Sequence, residues 1–477
     1  MTTTVSGQTS GVTGDLLRRA GAGRVPWILA WLSFVPLVVF RAGIMSEADT
    51  FWQIRIGLVT MANHVIPATD TFSWTMYGKP YFQNSWGFDV LLAVGYRLGG
   101  LPGAAAICAV ITLGIAALAL LLARKLGASA PVSAASLFLA AAPLAGWLSA
   151  RPQLVDYVAV LLLVLLLRRI EQGRARWGAV ALVGVLTVVW VNLHAAALLA
   201  VAMTGVAAVL LAVARRGTSW RYAAAATVVA AAGCLANPYG IDVLHQAGQV
   251  QSDSAGLIVE WVPVDLADPV QIVALAAGLA ALVIAWRRRE AVLCAGLAIG
   301  VAGAVVANRM LPFAVILATP VLAAFASDPP DSIRRYLTSR KVMFRRCGAL
   351  ALLALVALAA PSLAHIGRPE PATFPVALVA EIPHGCRLVN SYQIGGYVIL
   401  TRPDVLVSLD SRNNLYGRAV LLAEERVLNG NGNLSAGLAG AGCVLVPPRY
   451  GLARRLRHDP QWQLRAADQV AVLYVRR

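Results

Sequence analysis

Long apolar stretches separated by short polar segments dominate the first three quarters of the sequence. Most stretches are about 16 to 21 residues long, close to the ~20 residues that a helix needs to cross a bilayer. The composition agrees, because 58% of the residues are hydrophobic and only 13% are charged. We predict eleven transmembrane helices, which cover residues 26–44, 103–123, 132–148, 152–167, 177–193, 195–214, 222–236, 270–286, 291–307, 311–326 and 348–365.

Two other helical patterns, residues 50–62 and 86–98, are predicted to lie on the membrane surface. The first is amphipathic, and the second would invert the sidedness of every later loop if it crossed the bilayer. Both fall within a long first outer loop, residues 45–102. The apolar segment before this loop lacks a small-residue cleavage signature, so we interpret it as a retained helix.

The chain is therefore expected to have three parts. Residues 1–25 are rich in Ser, Thr and Gly and are predicted to be disordered. Residues 26–365 form an all-α transmembrane domain. Residues 366–477, where hydropathy falls, are predicted to form a small α/β soluble domain.

The predicted α/β domain alternates strand and helix patterns. Its predicted strands cover residues 386–390, 405–410, 442–447 and 470–475, and its predicted helices cover residues 418–428 and 452–457. Gly395 and Gly396 are interpreted as a turn. Cys386 and Cys443 each open a predicted strand, and an oxidising compartment would permit a disulfide between them without requiring one.

The basic residues lie mainly on one side of the predicted membrane. The net charge is +17, and 21 of the 40 Lys and Arg residues fall in alternate short segments, which is the positive-inside pattern. This distribution predicts a multi-pass membrane protein with a cytoplasmic N-terminus and an exoplasmic C-terminal domain. It also explains the positive charge without a nucleic-acid partner. The large excess of Arg over Lys is typical of a GC-rich bacterial genome, so we expect a bacterial plasma membrane.

Candidate functional residues gather at the predicted outer ends of the helices. The first group follows the first helix and comprises Glu47, Asp49, Arg55, His64 and Asp70. Any one of these could be an ordinary solvated loop charge. Together they supply carboxylates close to cations at the membrane boundary.

A second group comes from distant helix ends. Arg151 and Arg309 are on the outer side, where basic residues are otherwise rare, and His194 ends another helix. An outward Arg can simply extend to the interface. Guanidinium groups also bind phosphate oxygens in pairs and stay charged when partly buried, so convergence of these residues would make an anion site.

Carboxylates and cations next to a bilayer that can hold a lipid chain are suited to sugar transfer from a lipid-linked phosphate donor. A carboxylate can accept the proton of the attacking hydroxyl, while cations stabilise the departing phosphate. A divalent metal shared by Glu47, Asp49 and Asp70 is compatible with this chemistry. A donor with a single phosphate does not require it, and we expect no cofactor.

The sequence resembles the GT-C superfamily of polytopic glycosyltransferases, particularly bacterial members with a C-terminal soluble domain. The matching stretches are residues 47–57, 64–73, 86–89, 150–153, 190–194, 237–240, 395–397, 410–412 and 416–417. The resemblance implies a polyprenyl-phosphate sugar donor, an inverting reaction on the outer face and an envelope glycan, lipid or protein as acceptor. It also implies an acidic base in the first outer loop, where Asp49 fits best and Glu47 is the alternative.

The phosphate contacts have a different basis. We propose Arg151, His194 and Arg309 as phosphate contacts because all three are predicted on the outer side of the membrane, and no family motif supports this role. Further candidates for substrate or lipid-phosphate binding are Arg55, His64 and Asp70. Asp410, Arg412 and Tyr416 of the last domain are expected to form a structural turn network.

Two other functions remain open from the sequence. A lipid-linked-sugar transporter would also be polytopic and bind phosphate, but it is expected to carry ionisable residues near the bilayer midplane. Asp156 is the clearest such residue, and it lies near a helix start. The third hypothesis is a non-catalytic envelope scaffold, although eleven transmembrane helices are more than a membrane anchor requires.

Overall fold

A computed structural model describes residues 23–42, 44–174, 176–246, 248 and 259–477 of the chain. The predicted disorder of the N-terminus falls almost entirely outside these residues. The helices that correspond to the predicted spans are Val25–Leu32 with Val35–Ala42, Trp86–Lys125, Ala130–Leu144, Gln153–Glu171, Arg176–Leu193, Leu198–Val213, Ser219–Cys234, Pro269–Arg287, Ala291–Val306, Leu311–Ala326 and Lys341–Ala359.

The described helices confirm a polytopic helical membrane domain. Among the described residues, seven helices are long and apolar enough to cross a membrane, and Ala130–Leu144 and Ala291–Val306 are shorter apolar helices. The first predicted span is broken into two helices after Leu32. Pro36 lies at the start of the second helix, where the amide hydrogen that proline lacks would have no helical partner.

The first outer loop is folded onto the membrane domain. The 40-residue helical stretch Trp86–Lys125 is interrupted at Gly99 and Gly100, and Gly100 has a φ of +61° that favours glycine. Its two halves touch, since a Cβ on Gly103 would lie 2.0 Å from the carbonyl oxygen of Gly95. The predicted helix 86–98 is thus separate from the span that follows it.

A second helix of this loop, Ala48–Asn63, extends the predicted amphipathic segment. It packs on the start of Trp86–Lys125 so closely that a Cβ on Gly57 would lie 2.0 Å from the carbonyl oxygen of Asp89. This contact anchors the middle of the helix Ala48–Asn63, whose first turn carries Asp49 and whose N-cap is Glu47.

Seven strands within the described residues form two sheets. A short parallel pair joins β1 (Ile44–Met45) to β2 (Arg368–Pro369), so the start of the first outer loop pairs with the linker that follows the last membrane helix. The C-terminal domain contains β3 (Arg387–Asn390), β4 (Leu406–Val407), β5 (Cys443–Val446), β6 (Trp462–Ala467) and β7 (Val472–Arg476) in the order β4-β3-β5-β7-β6. β3 runs parallel to β4 and β5, whereas β7 is antiparallel to both β5 and β6.

The remaining helices are Asp331–Ser339 before the last membrane helix, and Val376–Ala380, Tyr392–Thr401, Asn413–Leu428, Leu434–Gly437 and Gly451–Leu456 in the C-terminal domain. The α/β class and the four predicted strands are confirmed. Cys386 and Cys443 form a disulfide. β6 was not predicted, because most of its side chains are exposed and give no alternating apolar pattern.

The predicted turn at Gly395 and Gly396 is wrong, because both lie inside the helix Tyr392–Thr401. Glycine is needed at both positions because the backbone of neighbouring segments approaches them closely. A Cβ on Gly396 would lie 2.3 Å from the carbonyl oxygen of Ala48, and one on Gly395 would lie 2.1 Å from that of Leu409. The C-terminal domain therefore packs directly against the first turn of the helix Ala48–Asn63.

A fully buried ion network also joins the first outer loop to this domain. Arg412 donates to Asp70 at 2.6 Å and to both oxygens of Asp410 at 2.6 and 2.8 Å. Tyr416 donates to Asp410 at 2.7 Å. The predicted network of Asp410, Arg412 and Tyr416 thus forms, and Asp70 is a fourth member that the sequence did not indicate.

Candidate active site

A polar cavity of about 210 Å³ lies where the first outer loop, several helix ends and the C-terminal domain meet. Six ionisable side chains that matter for its chemistry line it: Glu47, Asp49, Arg151, His194, Glu260 and Arg309. Five of these six were candidates from the sequence, and they come from positions spread over more than half of the chain.

Three carboxylates surround the guanidinium of Arg151. The Nη2 atom of Arg151 lies 3.3 Å from Oδ2 of Asp49, and its Nη1 atom lies 3.8 Å from Oε2 of Glu47 and pairs directly with Glu260. Thr50 donates to the carbonyl oxygen of Ala150 at 2.7 Å, which holds the two segments together. Asp49 also benefits from the first turn of its helix, where the macrodipole stabilises negative charge.

This crowding changes the ionisation of the cluster. Burial raises the pKa of Glu47, Arg151 opposes that rise, and the neighbouring charge of Asp49 adds to it. Burial lowers the pKa of Arg151, but the charges of Asp49, Glu260 and Glu47 outweigh it and raise that pKa above the ordinary value. Arg151 is therefore a permanent cation whose charge is already compensated by its neighbours.

Arg309 offers a second guanidinium with a different environment. Its guanidinium carbon lies 4.3 Å from the centroid of the Trp261 ring, close enough for a cation–π contact. Within the described part of the chain, Arg309 forms no ion pair with a carboxylate. Its charge is consequently more available to an anion in the cavity than that of Arg151.

The imidazole ring of His194 is held in place by a buried carboxylate on the side away from the cavity. Its Nδ1 atom lies 2.7 and 2.9 Å from the two oxygens of Asp156, and Trp190 donates to the same carboxylate at 2.7 Å. Asp156 itself is only 1% exposed and does not line the cavity. The imidazole stands between Asp156 and the cavity.

Solved structures of two transferases share this architecture. ArnT from Cupriavidus metallidurans is 16% identical and matches 94% of this chain and 98% of its own length, with a TM-score of 0.57. It has also been solved bound to undecaprenyl phosphate. The archaeal oligosaccharyltransferase AglB from Archaeoglobus fulgidus, in complex with an inhibitory peptide and a dolichol-phosphate, is 13% identical and matches 88% of this chain and 69% of its own length, with a TM-score of 0.52.

The chain has the GT-C fold. No family model matches the sequence, and no curated protein sequence matches it. The fold prediction made from the sequence is thus confirmed by structure alone, at identities too low to transfer an activity.

A second, apolar cavity of about 140 Å³ adjoins the polar one in this GT-C fold. It lies between the helix Val35–Ala42, the helix Trp86–Lys125 and the segment that ends at Ala150. Glu47 lines both cavities. An elongated apolar molecule in the second cavity could therefore present a polar end to the first.

The C-terminal domain completes one wall of the polar cavity. Ser411 accepts a hydrogen bond from Nε1 of Trp52 at 2.9 Å, and the same indole nitrogen lies 3.3 Å from Asp49. Tyr392 lines the cavity and donates to Asn413 at 2.9 Å. The sequence analysis selected no substrate-binding residue in this domain, yet the domain contributes directly to the lining of the cavity.

Three predicted site residues lie elsewhere. Asp70 is fully buried in its ion pair with Arg412 and in hydrogen bonds from Ser73, so a substrate contact for it is wrong. It therefore cannot share a metal with the carboxylates of the cavity. His64 is exposed at the end of the helix Ala48–Asn63, and Arg55 lies on that helix without lining the cavity.

Across the described residues, no group of three His, Cys, Asp or Glu side chains is arranged to hold a metal ion. The space between the carboxylates is instead occupied by the guanidinium of Arg151. Glu260 and Trp261 are among the cavity residues that the sequence analysis did not select. Glu260 was one of many acidic residues in the outer loops, and nothing in its local sequence distinguished it.

Proposed function

We propose that this protein is a membrane glycosyltransferase that moves a sugar from a polyprenyl-phosphate donor to an envelope glycan, lipid or protein. The observation that carries the proposal is the convergence of Asp49 and Glu47 with Arg309 and His194 around one cavity. These groups come from three separate segments, and no local structural need explains their meeting.

The carboxylate wall is suited to activate the acceptor. In the proposed reaction an acceptor hydroxyl attacks the anomeric carbon of the donor sugar and passes its proton to Asp49, with Glu47 as the alternative base. The bond between that carbon and the phosphate oxygen breaks, and its electron pair stays on the phosphate. A single displacement of this kind inverts the configuration of the anomeric carbon.

The cations divide into two roles. Arg151 is enclosed by carboxylates, so we assign it to holding the acidic cluster together and not, as the sequence suggested, to binding phosphate. Arg309 has no carboxylate partner among the described residues, and a guanidinium is suited to a phosphate oxygen pair. We therefore assign the donor phosphate to Arg309.

The apolar cavity supports a lipid-linked donor. Its lining is mostly hydrophobic, and it adjoins the polar cavity at Glu47, so a prenyl chain there would place its phosphate at the boundary. The bound undecaprenyl phosphate of ArnT and the dolichol-phosphate of AglB show that this fold accommodates such lipids in other proteins.

The charge pattern supports placing the reaction on the outer face of a bacterial plasma membrane. The N-terminus would be cytoplasmic and the C-terminal domain exoplasmic, because basic residues are concentrated in the alternate short segments. The disulfide between Cys386 and Cys443 fits an oxidising compartment.

The test is to incubate the purified protein with a panel of polyprenyl-phosphate sugars and measure both donor-dependent thermal stabilisation and sugar transfer. Asp49→Asn preserves size but removes the base, so turnover should fall by about 10² to 10⁴-fold while donor binding is retained. Asp242→Asn, which alters an exposed carboxylate away from the cavity, is the matched control.

Unchanged turnover by Asp49→Asn would remove Asp49 from the mechanism. A wild-type protein that moves lipid-linked sugar across vesicles without transferring it would favour the transporter. A protein that no donor stabilises would favour the scaffold.

A further inference from the structure

The buried pair of Asp156 and His194 is the strongest feature that the proposed mechanism leaves without a defined role. Asp156 lies in the first turn of the helix Gln153–Glu171, and His194 follows the end of the helix Arg176–Leu193. Both side chains are almost completely buried. A buried carboxylate within a membrane protein is costly and is retained where it has a partner and a use.

Both oxygens of Asp156 are engaged, which fixes the orientation of the imidazole. Trp190 donates to Oδ1, and Nδ1 of His194 lies within hydrogen-bond distance of both oxygens. This arrangement commits Nδ1 to the carboxylate and leaves Nε2 as the ring nitrogen available to a molecule in the cavity.

Charge balance indicates what such an imidazolium is for. A phosphate monoester carries a charge of about −1.5 to −2 near neutral pH. Arg309 supplies one positive charge to the departing group, and the charge of Arg151 is compensated by three carboxylates. A second hydrogen-bond donor is therefore expected on the phosphate side. His194 is suited to this role, because its carboxylate partner, Asp156, engages Nδ1 from behind and leaves Nε2 toward the cavity.

We propose that His194 is a catalytic residue of this transfer and that Asp156 is its positioning residue. The inference rests on the proposed function. Nε2–H of the imidazolium donates a hydrogen bond to the phosphate oxygen that takes the electron pair of the broken bond. The proton stays on His194, while the proton of the acceptor hydroxyl goes to Asp49, so the step is balanced without another reactant.

Several charged or titratable groups surround the imidazole. Asp156 and Tyr157 come from the helix behind it, Arg309 from the segment before the helix Leu311–Ala326, and Glu47, Asp49, Arg151 and Glu260 from the other walls of the cavity. Raising the pH should remove the imidazolium charge, so wild-type turnover should fall on an alkaline limb.

The experiment measures kcat, the donor KM and donor-dependent thermal stabilisation across a pH series. His194→Gln retains a hydrogen-bonding side chain but has no charge, so kcat should fall by about 10²-fold, with donor binding less affected and the alkaline limb lost. Asp156→Asn should lower kcat by about 10-fold and move that limb to lower pH, because the imidazolium loses its carboxylate.

Thr187→Val is the matched control for disturbance of the helix Arg176–Leu193. Thr187 is buried on that helix and donates only to the carbonyl oxygen of Val183. It should keep the wild-type pH profile even if the protein becomes less stable.

The outcomes separate this inference from the proposed function. If wild-type protein transfers sugar and His194→Gln retains its kcat and alkaline limb, His194 has no catalytic role and the inference is overturned. If Asp156→Asn loses stability while its limb stays in place, Asp156 is only structural and the pair does not act as proposed. If wild-type protein transfers no sugar from any donor, the proposed function fails first and takes this inference with it.

Discussion

Replacing Arg412 with Met should loosen the C-terminal domain from the first outer loop. Arg412 is fully buried and pairs with two buried carboxylates, Asp70 and Asp410. Met fills much of the same volume but leaves both carboxylates without a cation. Breaking a buried pair in this way costs about 3 to 5 kcal/mol, because the desolvated charge that remains is uncompensated.

The assay is thermal unfolding in detergent, followed by tryptophan fluorescence. Trp74 reports on this contact, since its indole donates to the carbonyl oxygen of Leu388 in β3 at 3.0 Å. Limited proteolysis of the C-terminal domain provides a second measurement. Turnover should also fall, since the helix Tyr392–Thr401 would no longer hold Tyr392 at the cavity.

Arg465→Met is the matched control. Arg465 pairs with Glu381 at 3.7 Å, and both side chains are about half exposed, so the loss should be below about 1 kcal/mol. Equal stability of the Arg412 and Arg465 variants would refute the reasoning, because it would mean that the buried network contributes no more than a surface ion pair.

Two further predictions concern the cations of the cavity. Arg309→Gln should weaken donor binding by about 10 to 100-fold, measured as a higher donor KM, because a charged hydrogen bond contributes about 1.5 to 3 kcal/mol; an unchanged KM would place the phosphate elsewhere. Arg151→Gln should raise the pKa of Glu47 further, since Arg151 opposes the rise caused by burial. The carboxyl would then keep its proton to higher pH, and the acid limb of the turnover profile should move upward; a limb that stays in place would exclude Glu47 from that limb.

The sequence identified the membrane architecture and most of the cavity for one physical reason. Placing charged side chains near a bilayer costs free energy, and basic residues are concentrated on the cytoplasmic side. Arg151 and Arg309 lie on the outer side, so they stood out as candidates for a function. His194 stood out similarly as a polar side chain at a helix end. The structure brings all three to the same cavity.

The parts that the sequence could not indicate depend on tertiary contacts. Asp70 looked like a site residue because its partner, Arg412, lies 342 positions later, and no local pattern reports such a pairing. Arg151 looked like a phosphate contact because the convergence of three carboxylates on it could not be foreseen. Gly395 and Gly396 have the composition of a turn, yet here they serve close helix packing.

The charged groups of the cavity favour both proton uptake from the acceptor and departure of the phosphate in the proposed reaction. Three carboxylates around Arg151 leave that part of the cavity with an excess of negative charge, so taking up the proton of the acceptor hydroxyl relieves the repulsion between them. Arg309 and His194 are the groups that we assign to the phosphate, whose negative charge grows as it departs. The reaction therefore moves positive charge to the carboxylates and negative charge to Arg309 and His194.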